Sequence, residues 1–173
     1  MNKYEFMLTF RLPQANADPE AYQDVLFEAG CDDAAVGTGK RGMIGLHFVR
    51  RAASAEEALQ SAIANVERAI PGVQLIEAGP DLVNLTDVAD IVGCSRQNMR
   101  KYAAGEMRTI HEGFPHPVFI GSPSLWQLAE IASWLARHAG VQPPAEMIEL
   151  SRATARANFE VQRKRLNRIL ETA

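Results

Sequence analysis

An α+β fold in three segments is predicted by three observations. Residues Tyr4 to Leu12 alternate apolar and polar side chains with period two, which places one face of a strand against a core. Residues Ser54 to Ile70 repeat apolar side chains with the 3.6-residue period of an amphipathic helix. At Gly79-Pro80-Asp81 the texture changes to short helices with tight turns, and beyond Val141-Gln142-Pro143-Pro144 it changes again to one long helical pattern. These changes divide the chain at 1–79, 80–140 and 141–173.

In the first segment Tyr4, Phe6, Leu8, Phe10 and Leu12 share a strand face. Asp18-Pro19-Glu20 is a helix start, with the carboxylate at the cap and proline in the first turn. The helix carries Tyr22, Val25, Leu26 and Ala29 on one side and stops at Gly30. A short strand at Ala34 and Val36 is followed by a hairpin turn at Gly37-Thr38-Gly39-Lys40-Arg41-Gly42 and a longer strand from Met43 to about Arg50. Ser54 and Glu57 have the capping-box spacing for a second helix, whose stripe is Ala58, Leu59, Ala62, Ile63, Val66 and Ile70. Pro71-Gly72 ends it, and Val73 to Glu77 form a last strand. The order βαββαβ predicts a ferredoxin-like sandwich of four antiparallel strands with two helices on one face.

Composition narrows the function classes. The hydrophobic share is 47% and the charged share 23%, which excludes collagen-like and wholly disordered chains. No apolar run approaches the ~18 residues of a membrane span, so no membrane partner is expected. The start, Met1-Asn2-Lys3-Tyr4-Glu5, has no secretory pattern, and a cytoplasmic location is expected. Two cysteines, Cys31 and Cys94, cannot build a disulfide framework and are expected reduced. Net charge is −3, but it is unevenly spread: residues 1–80 hold 7 basic and 11 acidic side chains, and residues 140–173 hold 6 and 4.

The stretch Leu85-Thr86-Asp87-Val88-Ala89-Asp90-Ile91-Val92-Gly93-Cys94-Ser95-Arg96-Gln97-Asn98-Met99-Arg100-Lys101-Tyr102 resembles a helix-turn-helix. Val88 and Val92 lie four apart on the inner face of the first helix, and Ala89 is small where the second helix crosses. Gly93 stands at the sharp turn, Cys94 fills the apolar position within it, and Ser95 caps the second helix. Met99 and Tyr102 point inward. Arg96, Gln97, Asn98, Arg100 and Lys101 point outward, and these side chains are suited to base edges and phosphates.

Downstream stand Phe114-Pro115-His116-Pro117-Val118, a glycine turn at Gly121, a return strand ending in Trp126, and a helix with Glu130-Ile131 and Trp134-Leu135. Together with the preceding motif, residues 82–138 resemble the winged helix-turn-helix of AlpA-like phage regulators and excisionases, within the MerR-like superfamily. The resemblance implies a recognition helix in the major groove and a hairpin wing along the backbone of double-stranded DNA. By position it implies DNA contacts from Ser95, Arg96, Gln97, Asn98, Arg100 and Lys101, with Ser122 and Ser124 near phosphate, and Trp126, Ile131, Trp134 and Leu135 in the core. The chain departs from the family in its long, acidic loop from Glu106 to Gly113 and in Pro123-Ser124, where the wing often carries a basic residue.

In the last segment Met147, Leu150, Thr154, Ala157 and Val161 follow a 3-4 spacing. Phe159, Leu166, Ile169 and Leu170 extend an apolar side, with Arg152, Arg156, Arg163, Lys164, Arg165 and Arg168 on the rest. Such a helix serves either as a homodimerisation element or as a helix folded back on its own N-terminal segment.

Enzyme signatures fail on spacing. Gly37-Thr38-Gly39-Lys40 lacks the four residues between glycines and the Ser or Thr after Lys that a phosphate loop needs. Cys31, Asp32, Asp33 and His47 have no metal-site spacing, and His111 and His116, which flank Phe114-Pro115, could ligate metal or contact phosphate, although exposed loop histidines without a task are commoner. No catalytic residue, metal or cofactor is assigned. The expectation is a sequence-specific transcriptional regulator, not an enzyme, acting on double-stranded DNA as a homodimer. The alternative is a protein-interaction adaptor, or an antitoxin-like protein, whose acidic N-terminal domain binds a protein or small-molecule partner.

Overall fold

The structure, a computed structural model, describes residues 1–37 and 39–171. Thr38 of the expected hairpin turn and positions 172–173 of the last segment lie outside the described residues. The chain is mixed α+β, with a four-stranded antiparallel sheet and six α-helices among the described residues. None of those helices is long and apolar enough to cross a membrane. Two compact units result: Met1–Gly79 together with the last helix from Ala153 on, and Pro80–Arg152.

In the first unit β1 (Asn2–Arg11) pairs with β3 (Met43–Ala52) over ten residues, from Asn2 opposite Ala52 to Arg11 opposite Met43. β2 (Ala34–Gly37) lies outside β3 and β4 (Gln74–Gly79) outside β1, giving the order β2-β3-β1-β4. The alternation in β1 sends Tyr4, Phe6, Leu8 and Phe10 inward, and that in β3 sends Ile44, Leu46 and Phe48 to the same side. Phe6 and Phe48 stack across the strands with ring centroids 5.3 Å apart. Against this face packs α2 (Ala55–Ala69), capped by Ser54 and burying Ala58, Leu59, Ala62 and Val66. Each of these large side chains contributes roughly 1.5–3 kcal/mol by leaving water.

The first helix is smaller than its sequence pattern suggests. Asp18 accepts a hydrogen bond from the Glu20 N–H at 3.1 Å and starts a 3-10 turn, Pro19–Tyr22, ahead of α1 (Gln23–Glu28). Of Tyr22, Val25, Leu26 and Ala29 only Leu26 is fully buried, while Val25 and its neighbour Phe27 are exposed. Fewer than two turns of helix present one residue squarely to the core and leave the rest at the rim. After the β2–β3 turn, Gly42 has φ +75°, and a Cβ there would collide with the Ala15 carbonyl, so the loop following β1 closes on this turn.

One polar knot ties the α1–β2 connection to the core. Arg50 follows Phe48 in the inward phase of β3 and is 7% exposed. Its Nε donates to Asp33 Oδ2 at 2.7 Å and its Nη2 to Asp33 Oδ1 and to the Gly30 carbonyl, each at 2.8 Å. Nη1 reaches Ser61 Oγ on α2 at 3.1 Å, and the guanidinium lies 4.9 Å from the Phe48 ring centroid. The Asp33 hydrogen bond holds the guanidinium above its ordinary pKa, outweighing desolvation. Burial pushes the neighbouring Cys31 thiol up, opposed by the Arg50 charge.

The last helix, α6 (Ala145–Glu171), begins in the second unit and ends in the first. Within the first unit it lies beside β4, one of the two edges of the sheet. The Asn158 side chain bonds Ala78 on both sides: its Nδ2 donates to the carbonyl and its Oδ1 accepts from the N–H, each at 2.8 Å. An amide side chain thus stands in for a neighbouring strand at a sheet edge. Asn158→Leu should lower unfolding stability by about 1–3 kcal/mol, because it strands two backbone groups in a water-poor position; a urea titration measures it.

In the second unit β5 (Leu82–Val83) pairs antiparallel with β6 (Trp126–Gln127). α3 (Leu85–Val92), α4 (Arg96–Ala103) and α5 (Leu128–Trp134) surround a core of Val83, Val88, Ala89, Met99, Tyr102 and Ile131. A π-helical turn, Leu135–Ala139, follows α5. The expected Phe-Pro-x-Pro-Val strand does not form. Residues 115–125 are an extended loop closed by a single bridge, Phe119 opposite Leu125, and the Trp126 strand pairs with β5 instead. Pro115, Pro117 and Pro123 have no N–H to give to a ladder, which limits this hairpin to one bridge.

Candidate nucleic-acid interface

α3 and α4 are joined by a three-residue turn, and each part of it has a local cause. Asn84 caps α3 by accepting from the N–H groups of Thr86 and Asp87 at 2.8 and 3.0 Å, and Asp87 reaches back to the Asn84 N–H, completing a capping box. Gly93 ends α3 at φ +70°, a left-handed conformation in which glycine carries no penalty. The Gly93 and Cys94 N–H groups both return to the Ala89 carbonyl. Ser95 then caps α4, its Oγ accepting from the Asn98 N–H at 3.1 Å. Cys94 is half-buried in the turn, and burial raises its thiol above the ordinary value, so it stays protonated near neutrality.

This arrangement sorts the sequence-predicted residues into two faces. Val88, Ala89, Met99 and Tyr102 are buried, and Val92 packs partly against them. Ser95, Arg96, Gln97, Asn98 and Arg100 are exposed, with Lys101 half-buried at the edge of the same face. Arg96 and Arg100 lie one turn apart, ~6 Å along the helix axis, close to two base steps of B-DNA at ~3.4 Å each. The eight residues of α4 span ~12 Å, the width of a major groove. The Ser95 oxygen accepts in the cap, and Arg96, Gln97, Asn98, Arg100 and Lys101 carry the outward nitrogen donors.

Asp90, which the sequence motif does not single out, also reaches this face. Its carboxylate pairs with Arg96 Nη2 at 3.1 Å, and both side chains are well exposed. Such a pair is held by roughly 0–1 kcal/mol, so a phosphate can take Asp90's place. Among the described residues Arg100 and Lys101 are in no ion pair.

The ends of the 115–125 loop are tied to the buried face of α4 through aromatic rings. Trp134 meets Tyr102 of α4 edge-on at 5.7 Å and Phe114 at 5.0 Å, and Phe114 meets Trp126 at 6.5 Å. Trp126 Nε1 donates to the Pro115 carbonyl at 3.0 Å, while the buried Trp134 N–H has no acceptor among the described residues. At the tip Ser122 is exposed, but Ser124 turns its hydroxyl onto the Gly121 carbonyl at 3.1 Å. Val118, Phe119 and Ile120 stand out instead, Ile120 being 86% exposed. Three apolar residues between Pro117 and Gly121 were visible in the sequence as a signal for an apolar tip.

The remaining candidates are dispersed. His47 pairs with Glu5 at 3.0 Å on the outer sheet face, Asp33 belongs to Arg50, and Asp32, His111 and His116 are exposed. Among the described residues no group of three His, Cys, Asp or Glu side chains is placed to hold a metal ion. Compared with known proteins, the chain matches no family model, no curated protein and no solved structure.

Proposed function

We propose that this chain is a DNA-binding transcriptional regulator that lays α4 in the major groove and works as a self-associated pair. The observation that carries the proposal is the two-faced α4: Met99 and Tyr102 locked in the core, and Arg96, Gln97, Asn98, Arg100 and Lys101 presented together on the other side. A helix fixed from behind by packing, and supplied in front with donors for guanine, adenine and phosphate, is what base readout requires. The capped turn at Gly93 and Ser95 and the aromatic clamp on the 115–125 loop support a winged helix-turn-helix reading of residues 82–138, with Ser122 near phosphate. The strand order β2-β3-β1-β4, with α2 on one face, supports a ferredoxin-like reading of residues 1–79. The acidic character of that segment speaks against its lying on DNA and for a role in protein contacts.

Fluorescence anisotropy of the full chain against DNA from upstream of its own coding sequence, beside scrambled DNA, tests the proposal over a salt series. Specific binding should exceed scrambled binding by about 1000-fold or more, and log K should fall with log salt by roughly 0.9 per phosphate contact. Absence of binding at low salt would remove this reading and favour a protein-binding adaptor.

A further inference from the structure

Within the first unit, the groove between β4 and α6 gathers cations without counter-ions. Arg11 ends β1, and the strand register sets Gln74 of β4 opposite it. Gln162, Arg165 and Arg168 of α6 follow one another at three-residue spacing and face the same groove. Three guanidiniums and two amides therefore line it, and no carboxylate does. Among the described residues Arg11 and Arg165 are in no ion pair. The carboxylates at this end of α6, Glu160 and Glu171, line instead the cleft toward α2, which Arg168 also borders. Glu77, the one carboxylate of β4, is opposite Thr9 and does not line the groove.

The groove also has an apolar wall. The register of β1 and β4 shifts between Thr9 and Phe10, which leaves Ile76 as the extra residue of a bulge and lets it line the groove beside Gln74. Val161 and Ile169 line it from α6. The volume is about 510 Å³, within the ~300–1,000 Å³ of small-molecule sites. Like charges gathered without a carboxylate repel one another, and an anion that bridges them removes the repulsion. Guanidinium forks match pairs of phosphate oxygens. A phosphate monoester brings three acceptor oxygens and about −1.5 to −2 charges, against two oxygens and one charge for a carboxylate or a phosphodiester. Three guanidiniums suit the monoester best.

We propose that this groove binds a small phosphate monoester with an apolar body, its phosphate among Arg11, Arg165 and Arg168 and its body against Ile76 and Val161. The site belongs wholly to the first unit and uses no residue of α4, so it stands apart from the DNA-binding reading.

Titration of the full chain with phenyl phosphate, followed by amide NMR shifts, tests it. Shifts at 74–76 and 161–169 should move together and saturate, with a Kd of about 1 mM or tighter. Arg11→Gln and Arg165→Gln, both at exposed positions, should each weaken binding at least ~10-fold, and circular dichroism checks that the fold is kept. Arg163→Gln removes the same charge from the other side of α6, where Arg163 is paired with Glu160, and should change binding by less than ~2-fold. Ile76→Ser should weaken phenyl phosphate at least ~3-fold more than it weakens inorganic phosphate. Shifts that do not saturate, shifts centred elsewhere, or an equal loss in Arg163→Gln would each overturn the inference. So would displacement of phenyl phosphate by a scrambled DNA duplex or by phosphatidic acid vesicles, since the groove would then be a surface for polyanions. A chain that binds phenyl phosphate in this way and ignores DNA would overturn only the proposed function.

Discussion

Arg50→Ala should lower the unfolding free energy by about 3 kcal/mol, and by up to about 5 kcal/mol if water does not reach the space left behind. The cost has three sources. Asp33, only partly exposed, loses a bidentate partner at 2.7 and 2.8 Å, and its remaining charge is poorly hydrated. The Gly30 carbonyl loses one of its two donors but keeps Asn65 Nδ2 at 2.8 Å, which softens the loss there. Phe48 loses the cation above its ring, along with the packing of the arginine stem. The double variant Arg50→Met with Asp33→Ala should recover most of the stability, since removing both charges leaves no uncompensated ion. The sign with pH follows from the direction of the shift. A guanidinium whose folded pKa lies above its ordinary value contributes fully below that ordinary value, and the contribution is lost only as pH rises through the folded pKa. The Arg50→Ala deficit should therefore be constant across neutral pH in urea titrations; a deficit that vanished there would place the stability elsewhere.

The same residue shows where the sequence is legible and where it is not. Its phase is readable: Arg50 falls in register with Ile44, Leu46 and Phe48, so alternation alone turns it inward, an orientation that a polar residue takes only with a partner. The partner is not readable, because Asp33 sits 17 residues away, across β2 and the β2–β3 turn. Period-two and period-3.6 patterns report which face of an element leaves water, and β1, β3 and α2 bury the residues those patterns select. They do not report which body does the covering. In α6 the side that carries Leu150 and Thr154 is buried and the opposite side, with Phe159, Leu166 and Leu170, is exposed, although both sides carry apolar residues in sequence. The α3–α4 turn is legible because its residues act locally: an Asn cap, a left-handed glycine and a Ser cap each act within four residues. Asp90 was not, since an acid on the outer face of α3 matters only once α4 brings Arg96 to it.

That ion pair sharpens the second large effect. Arg96→Ala combined with Arg100→Ala should weaken specific DNA binding by about 3 kcal/mol or more, at least a hundredfold, with unfolding stability changed by no more than about 0.5 kcal/mol. The two effects separate because both side chains are exposed while Met99 and Tyr102, between and beyond them on the helix, hold α4 in place. The single variants should differ in kind. Arg100 is in no ion pair among the described residues, so Arg100→Ala should show its whole loss at once. Arg96 must first leave Asp90, so Arg96→Ala should lose somewhat less, and Asp90→Asn should tighten binding several-fold at low salt by releasing Arg96 and removing a negative charge from the face. Anisotropy against specific and scrambled duplexes also assigns the roles. A side chain on a base edge, when removed, narrows the gap between the two duplexes, whereas one on phosphate lowers both together and reduces the salt slope by about 1. If the double variant binds both duplexes as the wild type does, α4 is not the reading element, and the sorting of its side chains into a buried and a basic face serves only to keep the helix soluble on its core.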